Sequence, residues 1–274
     1  MGQPIQTHTL KINKAIDWIH RQSRATTVFL NFLTLGLLWF GYSTVRRVTA
    51  DSTKIAYENA VNLVKFQDWL GFPSEANFQQ YVIDSELLIK IANCFYFMMH
   101  FPSMIVFLLW VMFRKIEWMP QVRASLCIAT FSGLIIHLAF PLMPPRLLGS
   151  YGFIDTAKVF GPDPYGLGIA KAANELAAMP SLHVGWALLI AIAAIKILKS
   201  PARWIILLHP ILTTIVVVIT ANHFWLDIIV GGILGYGGWL IGVKYWPIKT
   251  FSRGQEKLTQ ETVEESVLSE SVSE

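Results

Sequence analysis

Six long runs of apolar residues alternate with polar stretches along this chain. Each run approaches the roughly 20 residues that a helix needs to cross the hydrocarbon core of a bilayer. Because backbone groups in lipid must find their hydrogen bonds within the protein, runs of this length predict helices. The pattern therefore predicts an all-α integral membrane protein, a six-helix bundle. The predicted spans are residues 28–45, 95–113, 124–141, 182–198, 204–221 and 224–243.

Composition agrees with a lipid environment and excludes an ordinary soluble domain. Of the 274 residues, 54% are hydrophobic and 15% are charged, and the mean hydropathy is +0.48. An average soluble domain has roughly 25% charged residues. Cys94 and Cys127 fall in or beside apolar runs, where we expect small buried side chains rather than a disulfide or a metal site.

The basic residues set the predicted orientation. Loops on the cytoplasmic side of a membrane carry an excess of Lys and Arg. Placing both termini in the cytoplasm puts most of the 22 basic residues on that side. The N-terminal residues lack the small-residue cleavage pattern of a secretory signal, so we expect the first helix to stay attached.

Two connections on the predicted outer side are long enough to fold. In residues 46–94, a group of apolar side chains recurs at helical spacing, which predicts a helix on the outer leaflet or on the outer face of the bundle. These side chains are Ile55, Val61, Val64, Trp69 and Leu70. Residues 142–181 are rich in Pro and Gly, and a long loop of this kind typically caps a site.

An ionisable pair stands at the start of the last apolar run. Asp227 is the only carboxylate within the predicted spans, and a charge in a membrane is costly enough to indicate function. His223 lies four residues earlier, so on a helix the imidazole and the carboxylate share one face. A carboxylate bonded to one ring nitrogen fixes the tautomer and leaves the other nitrogen as a nucleophile.

Two further motifs suit phosphate chemistry. Pro180 and Ser181 are typical of a helix start, where free N–H groups and the macrodipole favour an anion. His183 would stand beside that anion as a proton donor for a leaving oxygen. Arg146, at the end of the third run, is suited to grip phosphate oxygens bidentately. The alternating topology places Arg146, His183 and His223 on the same, outer side.

The three motifs carry a resemblance to a known family. They are Pro-Pro-Arg at 144–146, Met-Pro-Ser-Leu-His-x-Gly at 179–185 and Asn-His-x-x-x-Asp at 222–227. In this order they resemble the type 2 phosphatidic acid phosphatase superfamily, and most closely its branch of inositol phosphorylceramide synthases and their bacterial relatives. The resemblance covers residues 85–245 and implies a membrane-embedded six-helix bundle of that kind.

The resemblance implies an enzyme that acts on lipid phosphates without a metal or another cofactor. It implies that His223 attacks phosphorus to give a phosphohistidine, with Asp227 orienting the ring. His183 would protonate the departing alcohol, while Arg146 and Ser181 would bind the phosphate. Water or an alcohol, such as inositol or a lipid, would then accept the phosphoryl or phospho-head group. A lipid phosphate is the expected partner, and no nucleic acid is expected.

The chain departs from the phosphatase subfamilies in its last motif. Those subfamilies begin it with Ser-Arg, where this chain has Val216 and Val217, and the first motif has no obvious leading Lys. Fewer cations would therefore hold the phosphate, which is compatible with a less charged phosphodiester donor. The choice between hydrolase and transferase stays open.

The predicted organisation has four segments. Residues 1–27 form a cytoplasmic N-terminal segment, and residues 28–84 hold the first transmembrane helix and outer interfacial helices. Residues 85–245 form the catalytic membrane domain, with its site on the extracytoplasmic side. Residues 246–274 are expected to be a disordered cytoplasmic tail, because their apolar content is too low to fold.

Two other protein classes are alternatives. His209 and His223 are 14 residues apart, close to one helical face, as in b-type cytochromes, yet His100 and His137 have no partner at this spacing. A polytopic membrane transporter would place charges deep inside the spans. The motif residues lie at one surface instead, which favours the enzyme.

Overall fold

The computed structural model describes residues 24–162 and 176–248. Within them the chain forms helices and contains no β-strand, so the predicted all-α fold is confirmed. Most of the predicted N-terminal segment 1–27 and of the predicted disordered tail 246–274 lies outside the described residues. The α-helices are α1 (Arg24–Thr49), α2 (Thr53–Trp69), α3 (Glu75–Ile83), α4 (Glu86–Arg114), α5 (Met119–Ala139), α6 (Thr156–Phe160), α7 (Leu182–Ile197), α8 (Leu208–Ile219) and α9 (Trp225–Tyr245).

Among the described residues, four helical stretches are long and apolar enough to cross a membrane, as expected of a multi-pass membrane protein. They are Val28–Thr49 in α1, Ile116–Ala139 ending in α5, Pro201–Ile219 ending in α8, and Trp225–Tyr245, which is α9. α4 adds a fifth if its two halves, which meet at an angle of 42°, count as one span. α4 contains Pro102, which lacks a backbone N–H and crowds the preceding turn, so a bend is expected.

The predicted count of six spans is therefore not established, and the described part of the chain supports four or five. The segment predicted as the fourth span is α7, a helix of 16 residues. At 1.5 Å per residue, α7 is about 24 Å long, against a hydrocarbon core of about 30 Å. It begins only at Leu182. Before it, the N–H of Ala178 donates to the carbonyl of Leu142, and the carbonyl of Ala178 contacts the His223 ring.

The connection between the first two predicted spans folds as α2 and α3, and α2 packs by a face that the apolar spacing did not indicate. Its buried side chains are Ala56, Ala60, Leu63 and Gln67. Ile55 and Trp69, from the predicted apolar group, are 55% and 78% exposed. Small side chains let the backbone approach closely, and the carbonyl of Ala56 accepts a hydrogen bond from the N–H of Met143 at 3.1 Å. α2 therefore packs on the bundle and keeps large apolar side chains outward.

The buried apolar residues form two main clusters. The larger one fills the bundle between α4, α5, α7 and α9, and includes Trp239. The second lies where α2 and α3 cover the loop after α5 and the turn before α9, and includes the fully buried Leu142 and Phe224. The second cluster gives the motif-bearing loops a packed support.

α7 and α9 cross with their backbones in direct contact. A Cβ atom on Gly185 of α7 would lie 2.7 Å from the carbonyl oxygen of Gly231 on α9. A Cβ on Gly231 would overlap the carbonyl oxygen of Ser181, and one on Gly235 would overlap that of Gly185. Because every other residue type carries a Cβ, these three glycines determine how closely the two helices approach.

Two more glycines continue this stripe along α9 onto α5. A Cβ on Gly238 would lie 2.7 Å from the carbonyl oxygen of Ser125, and one on Gly242 would overlap the Ser125 hydroxyl. α9 thus packs against α7 near its start and against α5 near its end. This packing places the start of α9, with Asp227, beside the first turn of α7.

Replacing Gly235 with Ala should destabilise the bundle, because the new methyl group overlaps the carbonyl oxygen of Gly185. Overpacking of this kind reduces the free energy of unfolding by about 1–3 kcal/mol. Gly237→Ala is the matched control, since a Cβ at Gly237 meets nothing within 4 Å and helix propensity favours Ala. Thermal unfolding of the purified proteins in one detergent compares them, and equal melting temperatures would contradict the importance of the α7–α9 contact.

Candidate active site

His223 lies in the turn between α8 and α9 and not on a helix, which corrects the expected arrangement on one helical face. α9 begins at Trp225, with Phe224 as its N-cap residue. The backbone N–H of His223 donates to the carbonyl of Val217 at 3.2 Å and helps to close the turn. Asp227 reaches back over the helix start, where its Oδ2 accepts from the N–H of Phe224 at 2.8 Å. Helix capping, therefore, brings the carboxylate close to the imidazole.

The imidazole of His223 has a defined orientation. Its Nδ1 lies 2.8 Å from the carbonyl oxygen of Ala178 and 3.5 Å from Oδ2 of Asp227. A carbonyl oxygen can only accept, so this contact requires the proton on Nδ1. Nε2 then carries the lone pair, and it faces Nδ1 of His183 at 3.4 Å. A main-chain carbonyl thus sets the tautomer, while Asp227 stands at the limit of hydrogen-bond distance.

Asp227 can act on His223 through its charge, because its Oδ2 lies 3.5 Å from Nδ1. Its side chain is fully buried, and among the described residues its Oδ1 has no hydrogen-bond partner. An ionised carboxylate in such a place is costly unless a positive charge lies beside it. Asp227 therefore favours a cationic ring at His223, which is the charge that develops when Nε2 bonds to an electrophile.

His183 is held at the first turn of α7. Ser181 is the N-cap residue of α7, and its Oγ accepts from the N–H of Val184 at 3.4 Å, so the predicted helix start is confirmed. Tyr96 of α4 stacks on the His183 ring, with centroids 4.4 Å apart and planes at 20°. The centroids of the His183 and His223 rings are 5.4 Å apart. Two imidazoles from separate segments therefore face each other.

Ser181 also joins the two histidine motifs through the backbone. Its N–H donates to the carbonyl of Asp227 at 2.9 Å. Its side chain is fully buried and serves as the cap of α7. A contact between the Ser181 side chain and a phosphate stays a prediction.

Arg146 meets the same end of the bundle through its backbone. Its N–H donates to the carbonyl of Ala221 at 2.7 Å, two residues before His223. Its guanidinium Nη1 lies 2.9 Å from Oδ2 of Asp155, and the two side chains are 4% and 18% exposed. This shielded carboxylate offsets part of the positive charge that Arg146 would present to a phosphate.

Three groups at the site were not found from the sequence. Ala178 acts through its main-chain carbonyl, which no side-chain pattern reveals. Tyr96 is one aromatic residue among many in an apolar run. Asp155 lies in the loop that was predicted to cap a site, and its loop position was its only signal. His137 of α5 also supports the second motif, with its Nδ1 3.0 Å from the carbonyl oxygen of Met179.

The structure thus brings His183, His223 and Asp227 together. The backbone of Ser181 bonds that of Asp227, and the backbone of Arg146 bonds that of Ala221. Within residues 24–162 and 176–248, no group of three or more His, Cys, Asp and Glu residues is arranged to hold a metal ion. The arrangement provides a nucleophilic ring nitrogen, a neighbouring imidazole for proton transfer and a helix start that favours an anion.

A comparison with protein-family models decides the family. The model described as the PAP2 superfamily matches residues 61–241, well over half of the chain. The chain belongs to the PAP2 superfamily. No match is found among curated proteins or among solved structures. The matched stretch contains all the predicted site residues and starts within α2, ahead of the region 85–245 that the motifs marked.

Membership of the PAP2 superfamily indicates a phosphatase or phosphotransferase that acts on lipid phosphates. The helices that can span a membrane agree with an enzyme embedded where such substrates reside. The resemblance found from the motifs is confirmed at the level of the PAP2 superfamily. The match does not distinguish the branch of inositol phosphorylceramide synthases.

Asp155→Asn should strengthen the binding of inorganic phosphate, because it removes the charge facing Arg146 while Asn preserves the N-cap of α6. We expect the inhibition constant of phosphate against lipid-phosphate turnover to fall about threefold to fivefold, as for a partly exposed charge. Asp51→Asn, in the exposed turn between α1 and α2, controls for net charge alone. If both variants keep the wild-type inhibition constant, the Arg146–Asp155 pair does not limit phosphate binding.

Proposed function

We propose that this PAP2 protein is a metal-independent lipid-phosphate phosphatase or phosphotransferase that works through a phosphohistidine. The observation that supports this most directly is the orientation of His223. Its Nδ1 contacts the Ala178 carbonyl at 2.8 Å, which leaves Nε2 basic and directed toward His183. Such an imidazole is set up as a nucleophile, with a second imidazole in reach for proton transfer.

In the proposed first step, Nε2 of His223 attacks the phosphorus of the lipid phosphate. The bond from phosphorus to the leaving oxygen breaks, and His183 donates a proton to that oxygen. In the second step, water or an alcohol attacks the phosphorus while His183 takes up its proton, and the phosphorus–nitrogen bond breaks. Both histidines then regain their starting protonation. The buried carboxylate of Asp227 stabilises the positive ring of the intermediate.

Fixed charges take the place of a metal in this mechanism. We assign phosphate binding to Arg146 and Ser181: the guanidinium and the positive end of the α7 macrodipole stabilise the phosphoryl oxygens. Because these groups are positioned by the fold before substrate arrives, little reorganisation is needed in the transition state.

The charge balance supports a phosphodiester donor. Val217 occupies a position where the phosphatase subfamilies carry a cation, and its side chain is fully buried. Asp155 offsets part of the charge on Arg146. With Arg146 as the cation among the described motif residues, the site suits a singly charged phosphodiester better than a doubly charged phosphomonoester. We therefore propose transfer of a phospho-head group to an alcohol such as inositol or a lipid, of the inositolphosphotransferase type, with hydrolysis as the reaction with water.

No observation in the described residues favours the two alternative classes. His209 lies in the first turn of α8, and His223 lies beyond the other end of that helix. The His223 ring is engaged by Ala178 and His183, which does not suit a haem ligand. A transporter would have its charged motif residues deep in the spans, whereas His223 lies in a turn outside α8 and α9.

We expect His223→Gln to abolish turnover and an acid-labile phosphoenzyme, and His183→Ala to slow turnover about 10²-fold to 10⁴-fold, as for a lost general acid. The assay uses purified protein with EDTA and a panel of lipid phosphates, with and without inositol. Released phosphate indicates a phosphatase, and a new inositol-containing lipid indicates a transferase.

Asp51→Asn is the control for these variants, because Asp51 lies in the exposed turn between α1 and α2. It should keep wild-type turnover, and all variants should show the same thermal unfolding in detergent. Retained activity in His223→Gln would exclude His223 as the nucleophile.

The proposed orientation has both termini in the cytoplasm and the site on the extracytoplasmic side. A reporter fused after residue 274 should be accessible only from the cytoplasm, because the basic loops favour that side. A single cysteine introduced at Asp51 in a chain without its two native cysteines should react with an impermeant reagent from outside. Reaction from the cytoplasmic side would reverse the orientation.

A further inference from the structure

Two buried polar side chains from the outer helices meet the start of α9. Gln67 is on the buried face of α2, and Glu75 opens α3; both residues are 3% exposed. Nε2 of Gln67 donates to Oε1 of Glu75 at 2.8 Å. Neither residue belongs to a motif, and neither contacts the histidines directly.

The pair accepts hydrogen bonds from the first two residues of α9. Oε1 of Glu75 accepts from the N–H of Trp225 at 2.8 Å, and Oε1 of Gln67 accepts from the N–H of Leu226 at 3.0 Å. The preceding N–H, that of Phe224, is bonded to Asp227. The first N–H groups of a helix have no partner within the helix, so three successive groups are satisfied here by side chains.

The position of these bonds connects them to the site. Trp225 and Leu226 lie between His223, in the turn, and Asp227, in the first turn of α9. The distance between the imidazole and the carboxylate therefore depends on where the start of α9 sits. Glu75 and Gln67 tie that start to α2 and α3, which are separate from the glycine contact with α7.

Capping a helix with a buried carboxylate carries a desolvation cost, since a Ser or Thr side chain at the N-cap would satisfy an N–H without a charge. Burial raises the pKa of Glu75, and the hydrogen bonds from Trp225 and Gln67 oppose that shift. A carboxylate at a helix N-terminus is favoured by the macrodipole. A cap residue within the turn would satisfy one N–H but would not tie α9 to α2 and α3, as Gln67 and Glu75 do.

We propose that Gln67 and Glu75 are positioning residues of the reaction, which hold the start of α9 so that His223 and Asp227 keep their relative geometry during phosphoryl transfer. The proposal rests on the proposed function. It makes α2 and α3 part of the functional unit, which then extends beyond the region 85–245 marked by the motifs. Both residues fall within the stretch 61–241 that matches the PAP2 superfamily.

Three variants test this role. Glu75→Ala and Gln67→Met each remove a side-chain acceptor for an N–H of α9. Glu75→Gln keeps the shape and one acceptor oxygen, and replaces the charged oxygen with an NH₂ group. We expect the first two to lower kcat about 10-fold to 100-fold with KM within about twofold, because a small misplacement of reacting groups slows chemistry. Glu75→Gln should restore kcat to within about threefold of the wild type.

Gln79→Met is the matched control. Gln79 is on α3 with Glu75 and is similarly buried. It hydrogen-bonds the backbone of Ile154 and Ile219, and neither of these residues belongs to α9. It should lose thermal stability to a similar degree as Gln67→Met, yet keep kcat. A similar drop in kcat in the control would show that general loosening explains the effect, and the proposal would fail.

Hydrogen exchange separates this proposal from the proposed function. Peptides covering residues 222–228 should exchange faster in Glu75→Ala and Gln67→Met than in the wild type and in Gln79→Met, whether or not turnover is measurable. If the wild type turns over no lipid phosphate, the proposed function fails, and the positioning role fails with it. If the wild type is active and exchange rises while kcat does not change, the positioning role alone is overturned. A Glu75→Gln variant as slow as Glu75→Ala would also overturn it, because the charge itself would then act in the reaction.

Discussion

The backbone contact between α7 and α9 is the constraint on which the rest of the structure depends. Gly185, Gly231 and Gly235 let the two helices meet without side chains between them. At the end of this contact the N–H of Ser181 bonds the carbonyl of Asp227, and His183 faces His223. Two motifs that are some 40 residues apart in the chain become one site only because these helices approach so closely.

The site itself is built largely from main-chain groups and caps. The carbonyl of Ala178 directs the His223 ring, and the N–H of Phe224 holds Asp227 in place. The buried carboxylate then contributes charge more than hydrogen bonding. Positioning by main-chain groups together with a fixed buried charge suits phosphoryl transfer, where these two effects supply most of the catalysis.

α2 and α3 connect this site to the surface of the bundle. α2 packs by Ala56, Ala60, Leu63 and Gln67, and Gln67 accepts a hydrogen bond from the start of α9. The loop after α5 adds Asp155 opposite Arg146. Asp155 thus offsets part of the charge that Arg146 would present to a phosphate, and the proposed phosphodiester donor rests partly on this balance.

Local properties were readable from the sequence alone. Apolar runs predicted the membrane helices, Ser181 predicted the start of α7, and the motif spacing predicted the PAP2 superfamily and proposed His183, His223 and Asp227 as one site. Those signals depend on residue type and short-range spacing, which the chain carries in one dimension. Only the tertiary structure decided four other features. They are the turn position of His223, the role of the Ala178 carbonyl, the pairing of Arg146 with Asp155, and the cap formed by Gln67 and Glu75. Each of them joins segments through a main-chain atom or a single polar side chain, and such contacts leave no periodic pattern in the sequence.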